Sequence, residues 1–107
     1  MTTNVPAAER PSILVVDDNN LLRGILREEL EAEGWEVHLA EEGGPAVEMA
    51  RDIRPDVILL DVVLPDIDGY EVCRKIRSAE ATSHIPVLML STRNELKDKL
   101  AGFEAGA

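Results

Sequence analysis

Val57-Ile58-Leu59-Leu60-Asp61 sets four consecutive apolar residues against one carboxylate, with Pro65 and Asp68-Gly69 shortly after it. A strand with no apolar and polar alternation is covered on both faces, as in a parallel sheet with helices on each side. Asp61 then stands at the carboxyl end of that strand, on the rim where open α/β sheets hold ligands and chemistry. The remaining strands must bring its partners there.

Working outward, Ser12 to Asp17 contains a second unbroken apolar run, Ile13-Leu14-Val15-Val16, which also ends in acid, Asp17-Asp18. Asn19 or Asn20 is suited to cap the following helix. Leu22, Ile25, Leu26 and Leu30 fall at helical spacing and predict one buried stripe, and Gly34 suits a left-handed terminus. Glu36 to Ala40 alternates Val37 and Leu39 with polar neighbours, the pattern of a half-exposed edge strand. Gly43-Gly44-Pro45 opens a second helix with an apolar face of Ala46, Val47 and Ala50, and Arg54-Pro55 ends it. After Asp61, Asp68 caps a third helix with Glu71 three residues on, and Val72, Cys73 and Ile76 face inward. Pro86 introduces a fourth strand, Val87 to Leu90, running into Ser91-Thr92. Asn94 then caps a fourth helix with Leu96, Leu100 and Phe103 on one side. Strand and helix alternate with short connections, so right-handed crossovers give a doubly wound parallel α/β sheet.

The chain of 107 residues fits one domain, and 45% apolar residues are enough for one core. A net charge of -10 and a pI near 4.5 set its field against phosphate backbones and anionic membranes, so direct nucleic-acid and membrane binding are not expected. Met1 to Pro11 carries no apolar run of the signal-peptide kind and reads as a disordered leader, which makes the chain cytoplasmic in expectation. Cys73 is the single cysteine and reads as a packing residue. His84, in a loop before Ile85-Pro86, carries no chemistry. Asp66 reads as a plain loop residue, and Gly43-Gly44 is too short to cradle a phosphate.

Three strands thus end in oxygen ligands: Asp17-Asp18, Asp61, and Ser91-Thr92. Carboxylates brought together in a partly dry crevice repel one another and gain proton affinity unless a cation compensates. Mg²⁺, a hard ion held by one or two carboxylates together with phosphate oxygens, is the fitting compensator. The site therefore calls for a metal and an anion together. A phosphoryl group would lie between the ion and the Ser91 hydroxyl, with Asp61 as nucleophile. An isolated acid at a strand end is ordinarily a solvated loop residue; the coincidence of acids after strands one and three with a hydroxyl after strand four is what argues otherwise.

These residues resemble the receiver domain of two-component response regulators. Ile13 to Asn19 resembles its first-strand signature. Asp61-Val62-Val63-Leu64-Pro65-Asp66-Ile67-Asp68-Gly69 resembles the loop around its phosphoacceptor. Pro86 to Ser91 resembles its fourth strand with the switch hydroxyl, and residues 102–107 resemble the approach to its fifth strand. The resemblance implies a flavodoxin-like sheet in the order 2-1-3-4 and a receiver domain over 12–107. It also implies that Asp61 accepts phosphate from a histidine kinase or histidine phosphotransfer protein. By the same resemblance Asp17, Asp18, Asp61 and the Val63 backbone carbonyl are expected to hold Mg²⁺, and Ser91 to report the modification. Such a protein is no enzyme in the ordinary sense; it assists its own phosphorylation and dephosphorylation.

Two departures from the family pattern stand out. Thr92 is larger than the residue usual after the switch hydroxyl. The family's fifth strand, with its lysine, and its fifth helix have no counterpart here, so the chain reads as C-terminally truncated, with strand 87–90 an edge open to self-association. A flavodoxin-like electron carrier would need a hydroxyl- and amide-rich loop after strand one, where two aspartates stand. A haloacid-dehalogenase-type phosphatase would need an acid at position 63, which is valine. A phosphate-independent interaction module on the same fold is the surviving alternative.

Overall fold

The computed structural model describes residues 10–90. Its elements follow the strand and helix alternation: β1 (Ser12–Val16), α1 (Asn20–Ala32), β2 (Glu36–Ala40), α2 (Gly43–Ile53), β3 (Val57–Asp61), α3 (Gly69–Ser78) and β4 (Val87–Leu90). All pairings are parallel and the strand order is β2-β1-β3-β4, as expected, with the half-buried β2 at one edge. The expected fourth helix from Asn94, and Ser91-Thr92, lie outside the described residues, as does the expected leader up to residue 9. Among the described residues, β4 pairs with β3 alone.

Alternation within the buried strands sorts their side chains between two faces. Leu14, Val16, Ile58, Leu60, Val87 and Met89 form one core with Ala46, Val47 and Ala50 of α2 and Val72, Cys73 and Ile76 of α3. Fully buried Leu14, Ile58 and Leu60 each contribute about 1.5–3 kcal/mol of transfer free energy. Ile13 and Val15 point the other way, toward α1, and are also buried. Cys73 packs in the core as a free thiol, in the role its sequence context suggested.

The helix ends obey local chemistry. The Asn19 side chain accepts from Leu22 N–H at 3.0 Å and caps α1. At its other end Gly34 adopts φ 98°, Gly34 N–H bonds to Glu31 O and Trp35 N–H to Leu30 O, each at 3.0 Å. This paired C-terminal arrangement needs a residue tolerant of the left-handed region. Asp68 Oδ1 accepts from Glu71 N–H at 2.9 Å and caps α3. The Glu71 side chain, three residues after the cap, pairs with Arg74 at 2.6 Å.

α1 departs from expectation. Leu22, Leu26 and Leu30 are only half-buried, Ile25 is 49% exposed, and the buried residue of the helix is Arg23. Among the described residues α1 packs mainly on β2 and β1 at one side of the sheet, so only part of its stripe is covered.

Gly69, the first residue of α3, lies against the end of β3: its N–H donates to Val62 O at 2.7 Å, and a Cβ there would stand 2.3 Å from Asp61 O and 2.8 Å from Val62 Cα. Backbone, unlike a flexible side chain, cannot swing aside. Gly69→Ala is therefore expected to destabilise the fold by about 3 kcal/mol through overpacking, read as a lower urea midpoint at unchanged slope.

Candidate metal and phosphoryl site

The register of the two central strands builds the site. Val16 lies beside Leu60, and β1 and β3 run in parallel, so the next residue of each, Asp17 and Asp61, leaves the sheet at the same rim. The ladder continues one step past the strand ends: Asp17 N–H donates to Ala40 O at 3.1 Å and Val62 N–H to Leu90 O at 2.9 Å. Main-chain hydrogen bonds thus hold the chain at Asp17 and just past Asp61. Carboxylate oxygens of Asp17, Asp18 and Asp61 lie within 4.8 Å of one another. Asp17 is 2% and Asp61 4% exposed, whereas Asp18 is open to solvent.

Of the residues singled out from sequence, the structure brings together Asp17, Asp18 and Asp61. Val63 sits two residues past Asp61 and donates its N–H to Asp61 Oδ1 at 3.2 Å. Asp17 Oδ1 is held in the same way by Asn19 N–H at 2.8 Å. Each buried carboxylate is therefore pinned by the loop that follows it. Ser91 lies outside the described residues.

Burial pushes the Asp61 carboxyl up to about 6 from an ordinary 3.8; the Val63 N–H pulls it down, and the charges of Asp17 and Asp18 push it further up. Asp17 is raised as well, first by burial, against the Asn19 N–H, with Asp18 adding and Arg23 opposing. Two desolvated acids beside a third make a site short of positive charge. Three oxygen donors at this separation, with no nitrogen or sulfur ligand among them, suit a hard divalent ion such as Mg²⁺.

Arg23 is the residue that sequence reasoning missed. It is buried on α1, donates Nη1–H to Asp17 O at 2.6 Å, bonds through Nη2 to Asn20 Oδ1, and reaches Glu41 at 3.5 Å. Its hydrogen bond ends on the Asp17 carbonyl, so the adjoining carboxylate is left to other partners. The available signal was positional: a cation on the second turn of a helix that starts directly after two acids.

Asp66, read from sequence as a plain loop residue, also has defined partners. Its Oδ1 accepts from Gly43 N–H at 2.8 Å and its Oδ2 from Gly44 N–H at 2.7 Å.

The comparisons with known proteins agree with this geometry. The response regulator receiver domain family matches residues 13–107. Response regulator MprA of Mycobacterium ulcerans is 44% identical over 95 residues, covering 89% of this chain and 40% of that protein. The DNA-binding dual master transcriptional regulator RpaA of a Synechocystis species is 39% identical over 97 residues, covering 91% of this chain and 40% of that protein. The chain thus spans about 40% of the length of the curated relatives it matches. Among solved structures, chemotaxis response regulator CheY4 of Vibrio cholerae superposes with a TM-score of 0.81 at 33% identity, over 92% of this chain and 82% of that one. The receiver domain of sensor histidine kinase PA1611 from Pseudomonas aeruginosa, whose structure has a magnesium ion coordinated in the active site cleft, superposes with a TM-score of 0.80 at 33% identity. That match covers 91% of this chain and 80% of the other.

The raised Asp61 pKa gives a pH dependence with a definite sign. Below pH 3.8 the carboxyl is protonated in both folded and unfolded chains, and the fold's greater proton affinity contributes fully; that contribution is lost as pH rises through about 6. In metal-free protein near neutral pH the ionised Asp61 is consequently a burden. Asp61→Asn should stabilise the metal-free fold above about pH 7 by about 1–2 kcal/mol, discounting the pKa rise for solvent at the rim. Urea titrations in chelator across this range check it, and the advantage should shrink through about pH 6 and vanish near pH 4.

Proposed function

The chain belongs to the response regulator receiver domain family, and from that premise we propose that it accepts a phosphoryl group on Asp61 in a Mg²⁺-dependent reaction. The observation that carries the proposal is the clustering of Asp17, Asp18 and Asp61 oxygens at the rim where β1 and β3 end. The donor is a histidine kinase or a histidine phosphotransfer protein. Asp17, Asp18 and Asp61, with the Val63 carbonyl, would hold the ion, which when bound offsets the repulsion among the carboxylates and the charge of the incoming phosphoryl group.

Asp61 is the nucleophile. Near pKa 6 without the metal, it is mostly ionised at neutral pH, and a bound cation would favour the ionised, nucleophilic form further. Its carboxylate oxygen attacks phosphorus as the phosphorus–nitrogen bond of the donor phosphohistidine breaks. The electron pair of that bond returns to the imidazole nitrogen, which gains a proton from solvent. The Val63 N–H, already on Asp61 Oδ1 at 3.2 Å, orients the nucleophile. Asp17 and Asp18 discourage direct approach of an anion while the metal is absent, which makes the cation a condition of transfer. Ser91 is proposed as the hydroxyl that reports the modification.

The proposed site of action is the cytoplasm, in keeping with an expected kinase donor; among the described residues no helix is long and apolar enough to cross a membrane. RpaA is DNA-binding by name, but a net charge of -10 sets this domain's field against a phosphate backbone. Any DNA contact in the whole protein is accordingly assigned to segments outside this domain.

Two measurements test the reading. Calorimetric titration should detect Mg²⁺ or Mn²⁺ binding that Asp18→Ala and Asp61→Ala each weaken at least about tenfold. Unchanged affinity in both variants would place the ion elsewhere. Intact mass spectrometry after treatment with acetyl phosphate and Mg²⁺ should show one added phosphoryl group, absent in Asp61→Asn and absent in chelator. An adduct surviving in Asp61→Asn would move the chemistry to another residue, and no adduct in the parent would favour the phosphate-independent interaction module.

A further inference from the structure

α2 has no cap of its own. Glu42 occupies the N-cap position in an extended conformation, but its side chain makes no capping hydrogen bond. The first turn of a helix leaves backbone donors without intrahelical partners. Here Pro45 has no N–H, and Ala46 N–H bonds to Glu42 O at 3.2 Å. The remaining two, Gly43 and Gly44, both donate to the Asp66 carboxylate, one to each oxygen. That acid comes from the loop after β3, more than twenty residues downstream.

The same loop carries the proposed chemistry. Its start is held at Val62, which donates to Leu90 O at 2.9 Å and accepts from Gly69 N–H at 2.7 Å. Val63 then reaches back to Asp61. Leu64 is buried in the core, while Pro65 and Asp66 are exposed. Past Asp66, Ile67 packs on Gly43 so closely that a Cβ there would stand 2.6 Å from Ile67 Cγ1. Asp66 is therefore the polar half of a latch whose apolar half is Ile67 on Gly43.

We propose that Asp66 is a positioning residue for the acidic site: by bonding to Gly43 and Gly44 it ties the phosphoacceptor loop to the first turn of α2 and sets the backbone at Val63 beside Asp61. The Gly44 N–H, followed by that of Gly43, holds the Asp66 carboxyl below the ordinary carboxylate range, so the latch is charged throughout the neutral range. The inference rests on the reading of Asp61 and its neighbours as a Mg²⁺ site. It adds that the loop's geometry at that site is set from α2.

A residue that merely caps α2 would be replaceable by a local cap. Asp66→Ala in the full chain should raise the Mg²⁺ dissociation constant about tenfold, as loss of an outer partner of a ligand typically does, and lower the melting temperature. Adding Glu42→Asp supplies a good cap at the N-cap position itself. The double variant should regain the melting temperature and keep the weakened Mg²⁺ affinity. In metal-free protein, the amide resonances of Gly43, Gly44 and Val63 should all shift in Asp66→Ala. Recovery of both stability and affinity by Glu42→Asp, or unchanged Mg²⁺ affinity in Asp66→Ala, would overturn the proposal. So would amide shifts confined to Gly43 and Gly44. Failure of the parent to bind Mg²⁺ would instead refute the metal-site reading, and the metal-free resonance experiment would still decide whether the latch reaches Val63.

Discussion

The parallel register of β1 on β3 is the constraint on which the rest depends. With Val16 beside Leu60, the chain has no freedom to separate Asp17 from Asp61, because a slip of one residue would exchange the side chains packed on α2 and α3 for those of the opposite face. Core packing therefore imposes an electrostatic conflict at the rim. Leu14, Val16, Ile58 and Leu60 are buried whether or not the acids are neutralised, and their burial keeps like charges close together. Burial first, and then the charges of Asp17 and Asp18, raise the Asp61 pKa. A cation or a proton relieves the conflict, and at neutral pH the cation is the available remedy.

The supports around the acids share a feature: each side chain that braces the site bonds to backbone, Arg23 to side chains as well. Arg23 bonds to the Asp17 carbonyl, and Asp66 to the amides of Gly43 and Gly44. Asp17 and Asp61 themselves each take a backbone N–H two residues ahead. An arginine placed directly on a buried carboxylate would satisfy its charge and compete with a metal for it. Anchoring Arg23 on the Asp17 carbonyl steadies the loop, and its charge only partly offsets the burial that raises the Asp17 pKa.

The strands and caps were legible because their causes are local. Unbroken apolar runs announce the strands, although among the described residues only β1 is covered on both faces, with Leu59 half-buried and Leu88 exposed; Asn19, Gly34 and Asp68 perform cap chemistry that depends on their immediate neighbours. The acid cluster was legible for a related reason: two apolar runs ending in aspartate, joined in a parallel sheet, must present their acids at one rim. Ile25 was misjudged because helical spacing identifies an apolar stripe but says nothing about how much sheet is available to cover it. Asp66 was missed because its partners are reached through tertiary structure, and Arg23 because a polar position on α1 gives no sign that it will be buried. For Asp66 a clue existed: Glu42 before Gly43-Gly44-Pro45 is a weak cap ahead of a helix, and an unmet donor pair there requires an acceptor from elsewhere.

That distant acceptor changes how the loop after β3 should be understood. A loop anchored only at its ends would be free to relax when the charge on Asp61 changes. This one is anchored at Val62 and Gly69, by Leu64 in the core, and by Asp66 and Ile67 on α2, leaving Val63 as its exposed residue nearest the acid. Any displacement at Val63 must then be passed either to the core through Leu64 or to α2 through Asp66. The core is close-packed and resists movement. The Asp66 bonds sit at the surface, where water can replace each N–H or carboxylate partner as the loop moves, so α2 is the softer route for motion originating at the acidic site.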